Sequence, residues 1–479
     1  MSQGTLTTTI IVEPECPPTS APRASSARAT VSFSAADRLE RLPITNYHRF
    51  LFIVISLAFF FDNFELATMT FVLGSIKQDL GLTTAQAGLL GSVSFVGMAL
   101  GAISSGALAD RFGRRPIFQF SMIIWGGASL LCASAHDAPT LALYRFFLGL
   151  GMGMELPLAA TMLAEFIPTK QRGRYLALMD GNWPLAFISA GMVSYYVLPI
   201  SDWRTMFIIG AVPSVFLFVI RRYIPESPRW LEAKGRQDEA DAVVADIERK
   251  VMKSGKLTSL PSVVTTIGSA QSSTGGIRVL WSADYRRRTA VVGGLWFFAL
   301  LGFYGLNTWI SAIVQQSGVG VAKSVLFTVW ISLGGIPGFL WAAWAVDAWG
   351  RKATCVITLV GGAVMAFVFG NVLGMTTSAY MAIAAGLMMQ FFLFGMWAVL
   401  YTYTPELYPS RARASGCGFA SFCGRIGALI GPTAVGLILP IFAQAGVFAF
   451  GAACFVAAAL VVLIGGVETR AQKLEEISD

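Results

Sequence analysis

The chain has 479 residues, of which 55% are hydrophobic and only 13% are charged. This is too little charge to cover the surface of a soluble protein of that length, so a soluble fold is excluded. The formal net charge is +8, but the Arg and Lys residues gather in alternate loops between apolar runs, which is the pattern of membrane topology and not of nucleic-acid binding. The composition therefore predicts an all-α membrane protein whose partner is the lipid bilayer.

The chain begins with a polar tail. Residues 1–45 are rich in Ser, Thr, Ala and Pro and lack the short apolar core and the cleavage site of a signal peptide. Such a composition buries too little apolar surface to fold alone, so we predict a disordered cytoplasmic tail over 1–45. Cys16 lies in this tail and the other five cysteines lie in predicted spans, so we expect no disulfide framework.

Twelve apolar runs of about 20 residues follow, each long enough to cross a hydrocarbon core as a helix. We predict an N-terminal six-helix bundle over 46–223 and a C-terminal six-helix bundle over 288–467. The charged stretch 224–287 is predicted to be a cytoplasmic linker with short helices, and 468–479 a cytoplasmic tail. The predicted spans are 50–74, 86–109, 117–135, 139–164, 174–198, 204–223, 290–315, 324–346, 353–373, 377–403, 413–439 and 444–466.

The basic residues predict the orientation. One set of loops is rich in Arg and Lys and shares its side with both tails and the linker, whereas the opposite loops offer little beyond Lys77, Arg204 and Lys323. Because positively charged loops stay in the cytoplasm, we predict that both termini are cytoplasmic. We expect a multi-pass monomer in the bacterial inner membrane.

Two motifs occur twice, about half a chain apart. The segment 110–115 (DRFGRR) recurs as 347–352 (DAWGRK), an offset of 347 − 110 = 237 residues. The segment 165–172 (EFIPTKQR) recurs as 406–413 (ELYPSRAR), an offset of 406 − 165 = 241 residues. Two motifs with nearly the same offset indicate one duplication, and they predict two homologous membrane halves with a shared site between them.

The repeated loops also predict a conformational latch. The Asp at each helix end can pair with an Arg, and the other cations can meet helix C-termini or the Glu of the second motif. The alternative is that these Arg residues only anchor the loops in the cytoplasm, but anchoring needs neither the Asp, the Gly nor the spacing. A latch of this kind would hold one open state and break in the other. The predicted latch residues are Asp110, Arg111, Arg114, Glu165 and Arg172 in the first half and Asp347, Arg351, Glu406 and Arg413 in the second.

The same motifs resemble those of a known superfamily. Residues 106–116 (GALADRFGRRP) resemble the signature loop of the major facilitator superfamily, and 145–155 (RFFLGLGMGME) resemble its fourth-helix motif. Residues 225–231 (PESPRWL) resemble the segment after helix six of sugar porters and organic-ion transporters. The resemblance covers about 46–470 and implies two pseudo-symmetric six-helix bundles that work by alternating access. Closer matches to the bacterial nicotinate transporters, a group related to the synaptic vesicle protein 2 family, are 155–157 (ELP), 397–406 (WAVLYTYTPE) and 424–427 (GRIG).

Three charged residues inside the predicted spans suggest proton coupling, because a charge at that depth is costly. Asp62 and Glu65 are three residues apart and share one face of the first span, and Arg145 lies in the fourth span at a depth that Glu65 can reach. In sugar porters that this chain resembles, an acid positioned like Glu65 faces an Arg of the fourth helix in proton coupling. Either one of the two acids takes up a proton opposite Arg145, or the group is a permanent salt bridge.

Asp180 and Arg425 belong to equivalent helices of the two halves, the fifth and the eleventh. Asp180 is a further candidate for proton coupling. Arg425 lies near the middle of its span, where it is either a structural tie to Asp180 or the anchor of a substrate carboxylate. If Arg425 is the anchor, the substrate is an organic anion, and a proton carried with it offsets the charge.

Aromatic residues gather on the spans that line the cavity of the superfamily. Trp183 and Trp397 lie at similar depths in opposite halves, so they can sandwich a flat ring. The alternative is that these rings only pack together or face lipid. The predicted substrate residues are Trp183, Phe303, Tyr304, Asn307, Trp397, Tyr401 and Arg425.

The sequence has no Walker phosphate loop and no Cys/His spacing of a metal site, so we expect no cofactor, no metal and no enzymatic activity. The leading hypothesis is proton-coupled import of a small aromatic carboxylate, with nicotinate as the specific substrate. The alternatives are a sugar or polyol symporter, an efflux pump for drug-like aromatics, and a receptor that binds ligand without moving it. The seventh span lacks the Gln-Gln pair that sugar porters carry before their Gly-x-Asn, which speaks against a sugar.

Overall fold

The computed structural model describes residues 34–215, 223–256, 258–263, 276–316, 319–374, 379–409 and 412–470. Most of the predicted N-terminal tail (1–33) and most of the predicted C-terminal tail (471–479) lie outside the described residues. The described part of the chain consists of helices and the loops between them, without a β-strand.

A short helix precedes the membrane helices of the first half. Residues 174–198, predicted as one span, form two helices that meet at Gly181. The sixth span continues from α8 as a 3₁₀ turn, Val212–Val215, beyond which 216–222 are not described. The bounds are α1 Ala35–Glu40, α2 Asn46–Asp79, α3 Thr84–Phe112, α4 Arg114–Ala133, α5 Ala138–Phe166, α6 Thr169–Asp180, α7 Asn182–Val197 and α8 Trp203–Ala211.

The linker and the second half are also built from helices. Two linker helices come before the second half, and a short helix leads into its first membrane helix. The last two predicted spans form one long helix that breaks at Ala443, whose φ of 52° lies in the left-handed region. The bounds are α9 Pro228–Ala233, α10 Gln237–Gly255, α11 Gly276–Leu280, α12 Arg286–Gln316, α13 Val321–Ser332, α14 Gly335–Trp349, α15 Arg351–Gly374, α16 Ala379–Glu406 and α17 Arg413–Gly465.

Within the described residues, nine helical segments are long and apolar enough to cross a membrane, counting α13 with α14 as one segment and the whole of α17 as one. The remaining spans of the predicted twelve are accounted for by other helices. The break divides α17 into two spans, α6 and α7 together form one bent span, and α8 belongs to another. The structure thus agrees with the predicted all-α architecture of two six-helix bundles.

Glycines allow the closest helix crossings in both halves. A Cβ at Gly149 of α5 would overlap the backbone carbonyl oxygen of Ser94 in α3. A Cβ at Gly338 of α14 would likewise overlap the carbonyl oxygen of Phe391 in α16. Small residues at such crossings let helices pack where lipid supplies no hydrophobic driving force.

The two halves are closed against each other on one face of the bundle. We call the face that carries α1, α9 and α10 the linker face. Near the opposite face, the hydroxyls of Ser92 in α3 and Thr433 in α17 are hydrogen-bonded at 2.7 Å. Gly88 lies so close to Pro432 that a Cβ would come within 2.7 Å of its carbonyl oxygen. Contacts this close leave no passage between α3 and α17.

The halves separate toward the linker face. A cavity of about 610 Å³ opens there between α6 of the first half and α14 and α16 of the second. Asp180, Phe339 and Tyr401 line it, and so do the latch residues Glu406 and Arg413. The structure is therefore open toward the linker face and closed at the opposite face.

Residues 34–45, predicted as part of a disordered tail, are ordered in the structure. Ser34 caps α1 by accepting a hydrogen bond from the amide of Asp37. Arg38 and Arg41 reach the carboxylate of Glu248 in α10 at 2.9 and 2.7 Å. Composition alone could not show this segment as ordered, because its partners lie more than 200 residues away.

We expect Glu248→Gln to release α1 from the linker. Burial acts to raise the pKa of Glu248, but hydrogen bonds from Arg38 and Arg41 outweigh it, so the pKa lies below the usual range. The ion pairs therefore hold at neutral pH and are lost as the pH falls through the lowered pKa. Hydrogen exchange of the amides of 35–41 should speed up in the variant and, in the wild type, at acidic pH.

Glu239→Gln is the matched control, because Glu239 pairs with Arg236 on the exposed surface of the same helix. If exchange in α1 is as slow in Glu248→Gln as in Glu239→Gln, the Glu248 pairs do not hold α1.

Candidate functional site

A small cavity lies between the two halves at the inner end of the wide opening. Its volume is about 70 Å³, and it is lined by α2, α3, α5, α7, α12, α16 and α17. Tyr401 lines this cavity and also the opening toward the linker face. The predicted site residues that the structure brings together here are Asp62, Trp183, Tyr304, Trp397, Tyr401 and Arg425.

Two tryptophans from opposite halves face each other across this cavity. The rings of Trp183 and Trp397 are 23° from parallel, with centroids 6.4 Å apart. A flat ring between them needs about 7 Å, two van der Waals separations, so a small widening admits one. Tyr401 stacks on Trp397 at 5.6 Å, and Phe303 meets Trp183 edge-on at 5.5 Å. The neighbouring rings thus fix the orientation of the pair.

Three buried polar atoms of this cavity lack a hydrogen-bond partner in the described part of the chain. They are Oδ1 of Asp62, Nε1 of Trp397 and Nε of Arg425. Buried polar groups are normally paired, so three unpaired atoms around one cavity leave it able to hydrogen-bond a polar ligand. One is an acceptor and two are donors, which suits a ligand with a charged or polar edge.

A second, smaller cavity of about 20 Å³ adjoins the first on the side of α5. Arg145, Asn307, Phe303 and Tyr304 line it together with Trp183. Trp183 and Tyr304 line both cavities, whereas the predicted substrate residues Phe303 and Asn307 line only the smaller one, together with Arg145.

Asn307 is already engaged by its own half. Its side-chain nitrogen donates to the carbonyl oxygen of Phe303 at 3.0 Å, and its oxygen accepts from Gln390 at 2.8 Å. Gln390 occupies the position that corresponds to Arg145 (390 − 145 = 245), and Asn307 that of Glu65 (307 − 65 = 242). The second half therefore has a neutral amide pair where the first half has an acid and a cation.

Glu65 and Arg145 are buried but do not pair directly. Glu65 lines neither cavity; its Oε1 is 3.0 Å from the hydroxyl of Ser129 in α4, and its Oε2 has no partner among the described residues. Arg145 donates from Nε to the carbonyl oxygen of Leu90 at 3.2 Å. Across the described ranges, no carboxylate lies within 4.0 Å of its guanidinium.

Asp180 lies apart from these residues. It lines the opening toward the linker face rather than the inner cavity, where Arg425 is. In the part of the chain that the structure describes, no ion pair within 4.0 Å joins Asp180 to Arg425. Arg425 instead shares its cavity with Asp62 of the first half.

The predicted latch residues form one cluster in each half. Arg114 lies 2.7 Å from Asp110 and 3.5 Å from Glu165. The second half repeats this, since Arg351 lies 2.9 Å from Glu406 and 3.3 Å from Asp347. Each cluster stays within its own half, so in this open state neither one joins the halves at the linker face.

The remaining latch residues differ between the halves. Arg413 donates to the carbonyl oxygen of Pro405 at 3.0 Å, whereas its counterpart Arg172 lies 4.0 Å from Glu40 of α1. Arg111 is exposed and packs over the ring of Phe112 at 5.2 Å. Among the latch residues of the first half, Arg172 is thus connected to α1, and α1 is connected to the linker through Glu248.

Known proteins share this sequence and this geometry. Residues 50–479 match the family described as "Sugar (and other) transporter". The chain belongs to this family. The partially occluded, inward-open structure of the xylose transporter XylE from E. coli superposes with a TM-score of 0.69 at 19% identity, covering 90% of this chain and 100% of that one. The likeness shows that the transporter has the predicted major facilitator fold.

Two curated relatives are similar over most of their length. The niacin transporter NiaP of Acinetobacter baylyi is 36% identical over 445 residues, which is 92% of this transporter and 98% of that protein. The 4-hydroxybenzoate transporter PcaK of the same organism is 26% identical over 403 residues, 84% of this chain and 87% of that one. The predicted resemblance to bacterial nicotinate transporters is confirmed. The chain is a multi-pass membrane transporter of small molecules and not an enzyme.

One buried acid of the transporter was not predicted as a site residue. Glu155 of α5 is fully buried; its Oε2 accepts a 2.7 Å hydrogen bond from Trp125, and its Oε1 has no partner in the described part of the chain. It is close enough to Asp62 to interact with it electrostatically. The sequence carried the signal, because Glu155 is a carboxyl inside the predicted span 139–164.

A third repeated element was also missed. Glu226 accepts hydrogen bonds from the amides of Arg114 and Arg115 at 3.0 and 3.2 Å. Glu468 does the same for the amides of Arg351 and Lys352 at 2.8 and 3.0 Å, at an offset of 468 − 226 = 242. Each carboxylate thus caps the helix that follows a latch loop. Burial raises the pKa of Glu226 above its usual range although these amides oppose the shift.

Proposed function

We propose that this transporter imports a small aromatic carboxylate together with a proton, and that nicotinate is its substrate. The observation that carries the proposal is the inner cavity, where a near-parallel tryptophan pair from opposite halves stands beside unpaired polar atoms of Asp62, Trp397 and Arg425. The similarity to a protein named niacin transporter supports the same substrate.

The cavity suits such a ligand in shape and charge. Trp183 and Trp397 would stack on the two faces of the pyridine ring, and Tyr304 and Tyr401 would face its polar edge. Arg425 would hold the carboxylate, since a guanidinium matches a carboxylate in both charge and geometry. Asn307 contributes indirectly, by fixing the seventh helix to Gln390.

The negative charge of the substrate explains why a proton would be transported with it. Moving one negative charge into a cell against an interior-negative potential costs about 2.3 kcal/mol per 100 mV. A proton that enters with each nicotinate cancels that charge and adds the free energy of the proton gradient. Glu65 and Asp62 are the proposed carriers of the proton. Arg145 lies nearby, and Asp180 lines the opening toward the linker face, through which the proton would leave.

Alternating access would follow from the pseudo-symmetry. The excess of Arg and Lys on the linker face favours a cytoplasmic position for that face and for both termini. The structure would then be the inward-open state of a monomer in the bacterial inner membrane. The latch clusters would re-pair across the two halves when the linker face closes.

Binding of labelled nicotinate to the purified protein tests the substrate, with nicotinamide and xylose as competitors. Nicotinate should compete, whereas nicotinamide, which keeps the ring but lacks the charge, and xylose should compete weakly. Displacement by xylose and not by nicotinate would overturn the proposal. Displacement by 4-hydroxybenzoate in preference to nicotinate would keep an aromatic acid as the substrate and correct its identity.

Trp397→Leu should weaken nicotinate binding by about threefold to tenfold, because an aromatic stacking contact is worth roughly 0.5–1.5 kcal/mol beyond the area it buries. Trp344→Leu is the matched control, since Trp344 is 58% exposed on α14 and lies outside both cavities. Equal affinity in the two variants would mean that Trp397 only packs.

A further inference from the structure

The segment that leads into the second half repeats the segment that leads into the first. Residues 274–289 (TGGIRVLWSADYRRRT) align with 34–49 (SAADRLERLPITNYHR), so that Arg278 corresponds to Arg38 at an offset of 278 − 38 = 240. In this alignment α11 precedes α12 as α1 precedes α2. The offset is close to those of the latch motifs, so the duplication extends to the segments before the membrane helices.

The two copies differ in how their cations are neutralised. In the first copy, Arg38 and Arg41 pair with Glu248, which holds α1 on the linker. In the second copy, no carboxylate of the described residues lies within 4.0 Å of Arg278 or Arg286. The preference for basic loops in the cytoplasm explains the sign of these charges but not the difference between the copies.

The fold holds the cations of the second copy on the outside of the bundle. Thr289 donates its hydroxyl hydrogen to the carbonyl oxygen of Leu280 at 2.8 Å, which closes the turn between α11 and α12. Leu280 and Thr289 are buried, whereas Arg278 and Arg286 are exposed. Asp284, an acid in the same turn, is also exposed, and it forms no ion pair within 4.0 Å in the part of the chain that the structure describes. The turn therefore presents its arginines on an ordered outer surface.

Apolar side chains of α17 lie next to this basic surface. Arg287 donates from Nη2 to the carbonyl oxygen of Ile464 at 3.0 Å, which places the start of α12 beside the end of α17. Leu460, Leu463 and Ile464 are exposed, and their spacing of three and four residues puts them on one helix face. Trp281, in the turn before α12, is exposed as well, and tryptophan is enriched at membrane–water interfaces.

We infer that this surface binds an anionic phospholipid from the leaflet that meets the linker face. The phosphate would supply to Arg278 and Arg286 the negative charge that Glu248 supplies in the first copy, and the acyl chains would lie along the apolar face of α17. A free phosphate would satisfy the cations and leave that apolar face uncovered, so the combination favours a lipid. These residues line neither central cavity, so the inference is independent of the proposed substrate.

Native mass spectrometry of the full-length protein in a neutral detergent, titrated with phosphatidylglycerol or with phosphatidylcholine, tests this inference. The wild type should bind phosphatidylglycerol more tightly. In Arg278→Gln/Arg286→Gln the affinity for phosphatidylglycerol should fall by about thirtyfold, because each basic residue beside an anionic headgroup contributes roughly fivefold. The affinity for phosphatidylcholine should stay unchanged. Arg278→Lys/Arg286→Lys, which keeps both charges, should retain most of the preference.

Arg249→Gln/Lys250→Gln is the matched control, because it removes two cations of the linker face that already pair with Asp246. This variant should bind phosphatidylglycerol like the wild type. Equal affinity in the control and in Arg278→Gln/Arg286→Gln would overturn the inference. Displacement of phosphatidylglycerol by an equal concentration of inorganic phosphate would also overturn it, since the site would then be one for a free anion.

The acidic end of the chain is the competing occupant of this surface. Glu475 and Glu476 lie in 471–479, outside the described residues. Glu475→Gln/Glu476→Gln should leave the affinity for phosphatidylglycerol unchanged. If the wild type shows no preference for phosphatidylglycerol and this variant gains one, the tail neutralises the arginines and the inference fails. None of these titrations contains nicotinate, so a failure of nicotinate to bind would overturn the proposed function alone.

Discussion

Arg425→Gln is expected to reduce nicotinate affinity by about tenfold to a hundredfold. A hydrogen bond between charged groups contributes roughly 1.5–3 kcal/mol, and Arg425 is the cation of the cavity in which the proposed tryptophan pair stands. The neutral amide keeps some hydrogen-bonding capacity and loses the charge, so nicotinate should weaken while nicotinamide, already weak, should change little. Equilibrium binding of both ligands to the same protein preparation measures this difference.

Two further variants make this result specific. Arg425→Lys keeps the charge but not the planar fork, so its affinity should lie between those of the wild type and Arg425→Gln. Arg249→Gln should bind like the wild type, because Arg249 lies on the exposed linker helix α10. Unchanged nicotinate affinity in Arg425→Gln would mean that Arg425 is a structural residue beside Asp62 and not the anchor of the substrate.

Glu65→Gln is expected to abolish the accumulation of nicotinate that an inward proton gradient drives. The amide resembles the protonated acid in shape and charge, but it cannot release a proton. The variant should therefore still exchange external for internal nicotinate across the membrane while it fails to concentrate it. Parallel measurements of counterflow and of gradient-driven uptake in proteoliposomes separate these two activities.

Asp62→Asn completes this comparison. If Glu65 carries the proton, Asp62→Asn should lower uptake through its effect on the cavity and keep the dependence on the gradient. If gradient-driven accumulation survives in Glu65→Gln and is lost in Asp62→Asn, the proton belongs to Asp62. Glu239→Gln, an exposed change on the linker, should leave both activities intact.

The membrane helices were predictable because their signal is local. Apolar runs and the Arg-rich loops between them gave the order of the helices, and the duplicated motifs gave the two halves. The bend at Gly181 was not predicted, although Asp180, Gly181 and Asn182 interrupt the apolar run of 174–198 at that point. The docking of α1 was also missed, because it depends on Glu248, more than 200 residues away.

The depth of each site residue in the membrane could be predicted from the sequence. The neighbours that its side chain faces could be predicted less well. Depth along each span correctly placed Trp183 and Trp397 opposite each other. Their ring centroids are 6.4 Å apart in the structure. The equivalence of the fifth and eleventh spans suggested Asp180 as a neighbour of Arg425, but the structure places Asp62 beside that cavity instead. Hydropathy gives the level of a residue in the membrane and not the neighbour toward which the helix turns it.

The neutral pair of the second half became visible only in the structure. Asn307 was predicted as a substrate residue because it lies near Tyr304 on the seventh span. The structure shows it bonded to Gln390, at the positions that Glu65 and Arg145 hold in the first half. The duplication therefore supplied one scaffold twice, with titratable residues in only one copy of this pair.

Uptake of labelled nicotinate into proteoliposomes, with and without an inward proton gradient, tests the central claim most directly. We expect the gradient to drive accumulation of nicotinate above equilibrium, while nicotinamide and xylose do not accumulate. Collapse of the gradient with a protonophore should reduce nicotinate to simple equilibration. Accumulation of xylose instead, or nicotinate uptake that is equal with and without the gradient, would contradict proton-coupled import of an aromatic carboxylate.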